Sequence, residues 1–332
     1  MLITAAAPTA PSTPGTAPLP PLQDRTPEQL RDGMLVTVKG AGSEDVAVAR
    51  LVQDGAQYMA RSAGTTMGLG TVEVNYGAAD RQGALGLATF QGTSGWFALS
   101  KRSTLGILEG IKRLRSTPWA EWTEAQRQDF VQANETILHE SAHVTLDGYS
   151  SAQVGAWRSA NRDIEEGISE VAAMAHIASF MREEFGIDTT GLTDRITQST
   201  SAYTRFSERL RRLLAMGTDG TSDAVAAAAS VISDGVRADR REAEIAARIG
   251  ANLAGANAPA ALVAEIERTI PGFIAEKNGT RTKLMELQAA LVDAAAGRLT
   301  AAPEAVAADI RARYEGLDTP ETIPVTGTAP LA

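Results

Sequence analysis

The sequence contains no cysteine, and that absence removes disulfides, iron–sulfur clusters, thiolate-bound zinc and a cysteine nucleophile together. Any metal held by the chain must therefore sit on imidazole and carboxylate. Histidine is nearly as scarce: His139, His143 and His176 are the three in 332 residues. There is no basic surplus either, since 31 Lys and Arg face 40 Asp and Glu for a formal charge of -9. An acidic chain is a poor match for a phosphate backbone or an anionic bilayer, so neither nucleic acid nor membrane is an expected partner. No stretch approaches the roughly 18 continuous apolar residues of a membrane span; the nearest, residues 224–232, is short and dominated by Ala. The start of the chain has no Lys or Arg before Arg25 and meets Pro8 early, which does not fit a secretory signal. The expected location is the cytoplasm, or outside it by a route that uses no cleavable signal peptide.

What is present is enough chain for one sizeable core or two smaller ones sharing an interface. Residues 1–26 and 318–332 are rich in Pro, Thr and Ala, a composition that favours extended conformations and buries little, so both are expected to be flexible tails. Between them the texture changes once. In residues 27–150, short runs at 35–38, 46–51, 72–76, 85–90 and 96–99 carry Val, Thr, Tyr and Phe between Gly and Asp, which predicts strands of a small twisted sheet. From Leu105 the spacing becomes helical, and residues 151–317 are expected to be helices almost throughout. The fold class expected is α+β.

The clearest helix begins at Thr123-Glu124-Ala125-Gln126, a capping box with Trp122 ahead of it as a staple residue, and is expected to end near Asp147-Gly148. Inside it stands His139-Glu140-Ser141-Ala142-His143, the HExxH pattern. Positions i and i+4 share one helix face, so both imidazoles can reach one ion at about 2.0–2.1 Å. Glu140 projects beside them, within reach of an attacking water. Gln132, Thr136, His139, Glu140 and His143 form one polar stripe, while Phe130, Val131, Ile137, Leu138 and Val144 cover the other sides. Such a helix is expected to be buried except where the stripe meets a cleft.

A catalytic zinc site takes three protein ligands and keeps an open position. The residues after His143 supply no third histidine in HExxHxxGxxH spacing. Twenty-two residues separate His143 from Glu166 in Ile164-Glu165-Glu166-Gly167-Ile168-Ser169-Glu170. That segment resembles the Ile-Asn-Glu-Ala-Ile-Ser-Asp block of thermolysin-like metallopeptidases and the Asn-Glu-Gly block of gluzincin aminopeptidases. The resemblance covers residues 123–185. It implies a zincin-like fold, with a small N-terminal sheet and the active-site helix followed by a mostly helical C-terminal part. It also implies zinc as cofactor, Glu166 as third ligand and Glu170 as the carboxylate that orients a ligand histidine. Glu166 and Glu170 stand i, i+4 on one helix face, as such a pair requires, and Gly167 is expected to let two helices approach closely. Glu165 replaces the Asn of the block, so it remains a rival third ligand.

Other residues have two readings each. His176 could be a ligand or transition-state donor, but it lies ten residues beyond Glu166, about 15 Å along a helix and off its face, which suits a partly buried histidine satisfied by a neighbour. Tyr149 and Tyr203 are the nearby phenols; Tyr149 is the candidate for stabilising an oxyanion, and capping or packing is its other use. Arg205, Arg209, Arg211 and Arg212 could bind a carbonyl or form a solvated face. Trp96, Phe97 and Ala98 lie in a run that could be an edge strand binding extended substrate or an ordinary core strand. The function expected is hydrolysis of a peptide or protein substrate, with Glu140 activating water at zinc held by His139, His143 and Glu166. Two alternatives share the motif: a non-catalytic structural or delivered protein, as in a phage-like particle or injection system, and a zinc protease effector or toxin of narrow specificity.

Overall fold

The computed structural model describes residues 20–39, 43–65, 67–91, 94–144, 151–189, 192, 204–235 and 240–317. These are mostly helical, with one small mixed sheet, an α+β arrangement. The strands are β1 (Thr37–Lys39), β2 (Leu69–Glu73), β3 (Gly86–Gln91) and β4 (Ser94–Leu99), in the order β1-β2-β4-β3. The first three neighbours run parallel, with Val38 beside Val72 and Val72 beside Phe97; β3 turns back antiparallel to β4, with Ala88 beside Phe97. Parallel neighbours need a crossover, and α2 (Ser43–Ala63) supplies the one between β1 and β2.

That crossover corrects one expectation. Residues 46–51 were expected as a strand and lie within α2. Their valines suit a strand, but Val48, Val52, Ala56 and Met59 are all fully buried, a spacing of four, four and three that lays one helix face on the core. Packing overrides β propensity here.

Short helices α1 (Pro27–Arg31) and α3 (Gly77–Gln82) precede α4 (Lys101–Ser116), which is capped by Ser100 Oγ accepting from the Ser103 N–H. The motif helix α5 (Glu124–Ala142) opens with the expected capping box, Thr123 and Gln126 each bonding the other's backbone N–H, and His143 is its C-cap. The predicted end at Asp147-Gly148 lies outside the described residues. The long helix α6 (Ser151–Phe185) packs along α5. After it come α7 (Thr204–Met216), α8 (Ser222–Ser230), α9 (Arg241–Ala254), α10 (Ala260–Ile274), α11 (Thr280–Ala295) and α12 (Pro303–Arg313).

Two hydrophobic cores share α6. Its C-terminal half, including Ile177, Phe180 and Phe185, joins the core of the sheet, α2 and α5. Its middle, with Ile164, Ile168 and Val171, joins the core of α7 to α12. A Cβ on Gly167 would stand 3.3 Å from the Phe206 backbone, so the close approach that this glycine permits is between α6 and α7, not between α5 and α6.

The N-terminal tail ends earlier than expected. Leu22 is 1% exposed, and Arg25 pairs with Asp54 at 2.8 Å and Glu184 at 3.0 Å, so residues 20–26 belong to the packed body. Residues 1–19 and 318–332 lie outside the described residues. No described helix is long and apolar enough to cross a membrane.

Candidate metal centre

The centre lies where α5 crosses the middle of α6, between the two cores. His139 Nε2 stands 3.2 Å from Glu166 Oε2, and His143 Nε2 stands 3.6 Å from the same oxygen. Each ring's other nitrogen has its own carboxylate: His139 Nδ1 is 3.1 Å from Glu170 Oε2, and His143 Nδ1 is 2.9 Å from Glu165 Oε1. Ser169 Oγ is a further neighbour of His143 Nδ1 at 3.3 Å. The two histidines are 5% and 6% exposed, so the stripe expected to face an open cleft is nearly closed at this point.

This arrangement separates the two rival glutamates. Glu166 faces the Nε2 atoms of both histidines, whereas Glu165 lies behind His143 and also receives Arg241 Nη1. A carboxylate engaged on both oxygens behind the ring is not placed to join Nε2 around an ion. The donors in front of the rings do fit one. Donors held tetrahedrally at about 2.0–2.1 Å from zinc stand about 3.3–3.4 Å from one another. The facing atoms of His139, His143 and Glu166 all lie within 4.8 Å of each other, and two of the separations are the 3.2 and 3.6 Å given above. Two imidazole nitrogens and one carboxylate oxygen, each ring backed by a carboxylate, are a donor set that could hold a metal ion such as zinc.

Burial alone would lower the pKa of His139, but hydrogen bonds to Glu166 and Glu170 and the charge of Glu140 outweigh it and leave the ring well above its usual value. Burial likewise raises Glu166, and its bonds to His139 and His143 outweigh that and hold it below the usual carboxylate range. Each group is held charged by the other, and a cation bound here would have to displace the proton on His139 Nε2.

Glu140 is half-buried on the side of α5 nearest β3. A Cβ on Gly86 would lie 2.8 Å from Glu140 Cγ and 3.1 Å from Thr136 Cγ2. The missing side chain at the start of β3 is what lets the strand lie against this acid. Between α4 and α5, a cavity of about 330 Å³ is lined by Leu85, Leu105, Gly106 and Gln132 among others. Gln132 is two helical turns from Glu140, about 12 Å along the axis, so the cavity lies beside the centre, and His139, His143 and Glu166 do not line it.

Three expected site residues are placed otherwise. Trp96, Phe97 and Ala98 lie on β4, which has β2 on one side and β3 on the other. Phe97 and Ala98 are fully buried, and the Trp96 indole N–H donates to Glu73 at 3.3 Å while its ring meets Tyr76 edge-on. A strand with both edges paired cannot accept another; among the described residues β3 carries the unpaired edge beside α5. Tyr149 and Tyr203 lie outside the described residues. His176 takes no part in the cluster: its Nε2 is 2.6 Å from Ser230 Oγ, its ring packs edge-on to Tyr58, and burial pushes its pKa down to about 4. Arg209 is spent on Glu276 and the Ile274 carbonyl.

Two residues escaped sequence reasoning. Glu135, one turn before His139, is buried within ligand distance of His139 and Glu170, and burial with the charge of Glu170 pushes its pKa well above the usual range. Its i, i+4 spacing to His139 was a usable signal. Arg241 is 76 positions from Glu165, and no local pattern could have joined them. Comparison with known protein families, with curated proteins and with solved structures found no match.

Proposed function

We propose that the protein is a zinc-dependent peptidase of gluzincin type with a zincin-like fold. The observation that carries the reading is the convergence of His139 Nε2, His143 Nε2 and Glu166 Oε2 in front of the rings while Glu170 and Glu165 take the two Nδ1 atoms behind them. The sheet supports it as well: an antiparallel edge strand, β3, lies against the motif helix beside Glu140, where an extended peptide can add to the free edge with its backbone held by main-chain hydrogen bonds.

When bound, zinc supplies Lewis acidity, making a water acidic near neutral pH and polarising a carbonyl. The chain does the rest. Glu170 and Glu165 each accept a hydrogen bond from an Nδ1–H, which fixes both ring orientations and leaves the Nε2 lone pairs free to bind. Glu166 completes the donor set. Glu140 takes the proton of the attacking water and delivers it to the leaving amine nitrogen. The nearly closed walls around His139 and His143 limit bulk water, which strengthens each of these electrostatic contacts.

The test is metal analysis of purified protein followed by cleavage of a peptide library with and without chelator. The reading expects zinc and chelator-sensitive cleavage. A protein free of zinc, or cleavage indifferent to chelator, would contradict it.

A further inference from the structure

The fold places a buried arginine directly behind the proposed zinc ligands. Arg241, the first residue of α9, is 0% exposed. Its Nη1 donates to Glu165 Oε2, and its Nη2 donates to the Ser233 carbonyl at 2.6 Å. The other oxygen of Glu165 faces His143 Nδ1 at 2.9 Å. One chain of contacts therefore runs from the C-terminal helical layer through a single carboxylate to one histidine of the centre.

Helix α9 gains nothing from this residue where it stands. A cation in the first turn opposes the helix dipole, and a buried ion pair generally does no better for stability than an apolar pair of similar volume. Glu242 and Glu244 already supply the acidic first turn that the helix favours. What Arg241 does supply is a fixed position for Glu165. Its guanidinium bridges Glu165 Oε2 and the Ser233 carbonyl, so the carboxylate behind His143 is tied to the backbone of the C-terminal layer.

We propose that Arg241 is a positioning residue for the metal centre: from the helical layer it holds Glu165 behind His143, so that Nδ1–H is engaged and Nε2 is presented beside Glu166. This rests on the zinc reading above. It makes the C-terminal helices part of the metal site, and it gives Glu165 the role for His143 that Glu170 has for His139.

The test uses the full chain with Arg241→Met, Arg241→Lys, Glu165→Gln and the pair Glu165→Gln/Arg241→Met, each checked for folding by circular dichroism. Zinc affinity is measured by competition with a chromophoric chelator. Loss of an outer partner of a ligand histidine costs about 10–100-fold in metal affinity, and Arg241→Met should show a loss of that size. Lys is a point charge that cannot bridge Glu165 and the Ser233 carbonyl as the planar fork does, so Arg241→Lys should fall between. In the Glu165→Gln background, Arg241→Met should change affinity by no more than about twofold, because the residue acts through Glu165.

A second readout needs no metal. In the metal-free protein, His143 Nδ1–H should give a slowly exchanging nitrogen-bound proton signal by NMR, lost in Arg241→Met; if that variant does not fold, Arg241→Lys carries both readouts. Zinc bound equally by wild type and a folded Arg241 variant would overturn the proposal and leave the zinc reading intact. A wild type that binds no zinc yet shows the protected Nδ1–H, lost in the variant, would overturn the zinc reading and leave the positioning role standing.

Discussion

Two of the places where the molecule buries carboxylates treat them oppositely. Glu265 on α10 is fully buried, and Lys283 of α11, Arg268 and Arg311 of α12 each approach it to 2.8 Å. Burial pushes its pKa up, and the three cations outweigh that and hold it below the usual range. At the crossing of α5 and α6, Glu135, Glu165, Glu166 and Glu170 gather around two histidines, with Arg241 as the buried cation described there. The exposed Arg162 reaches Glu166 only at 3.5 Å. The first cluster closes its charge with the chain's own cations and so ties three helices together. The second is left rich in acid, with imidazole nitrogens turned toward a shared carboxylate, and an external cation is what such a set of donors suits. Two clusters of acidic residues thus differ in the groups set against them among the described residues, lysine and arginine in one and two histidines with Arg241 in the other.

The sharpest way to break that contrast is at Glu140. Glu140→Gln should lower peptide cleavage by about 10²–10⁴-fold and leave zinc content unchanged, measured on one preparation; retained turnover would sink the proton-transfer role. Next is Glu265→Ala, which leaves Lys283 buried without its carboxylate. It should cost about 3–5 kcal/mol, read as a lower denaturation midpoint, with zinc per folded chain unaltered. A parallel fall in zinc would mean that the two clusters are not independent.

His176 provides an internal control, a half-buried histidine outside both clusters. Its pKa in the fold is about 4, below the ordinary value near 6.5. The unfolded chain therefore takes up a proton between those values while the folded chain does not. Stability is full above about pH 6.5 and declines as the pH falls toward 4, by up to about 3 kcal/mol. His176→Gln should flatten that acid limb in pH-dependent denaturation without changing zinc affinity. A smaller effect is expected from Gly86→Ala, whose new methyl meets Glu140 Cγ. Cleavage should fall about tenfold through a displaced base, with zinc unchanged.

Local patterns made the core of the site legible. The capping box at Thr123, the i, i+4 histidines and the i, i+4 pair Glu166 and Glu170 are all set by helix geometry, and each pair is where that geometry puts it. Long-range pairing was not legible. Trp96, Phe97 and Ala98 read equally as edge or core because a strand's own residues do not say how many neighbours it has; β3 taking the outer position decides it. Residues 46–51 misled because valine alternation fits a strand, while the helix is fixed by burial against elements far along the chain. Arg241 and Glu165 stand 76 positions apart and meet only in the folded protein.

The central claim is that the acid-rich cluster is a cation site and the Glu265 cluster is not. Its most direct measurement is zinc content, by plasma emission, of wild type, Glu166→Ala and Glu265→Ala purified alike. The account predicts one zinc per chain in wild type and in Glu265→Ala, and near-complete loss in Glu166→Ala. Wild type without zinc, or full occupancy in Glu166→Ala, would contradict it.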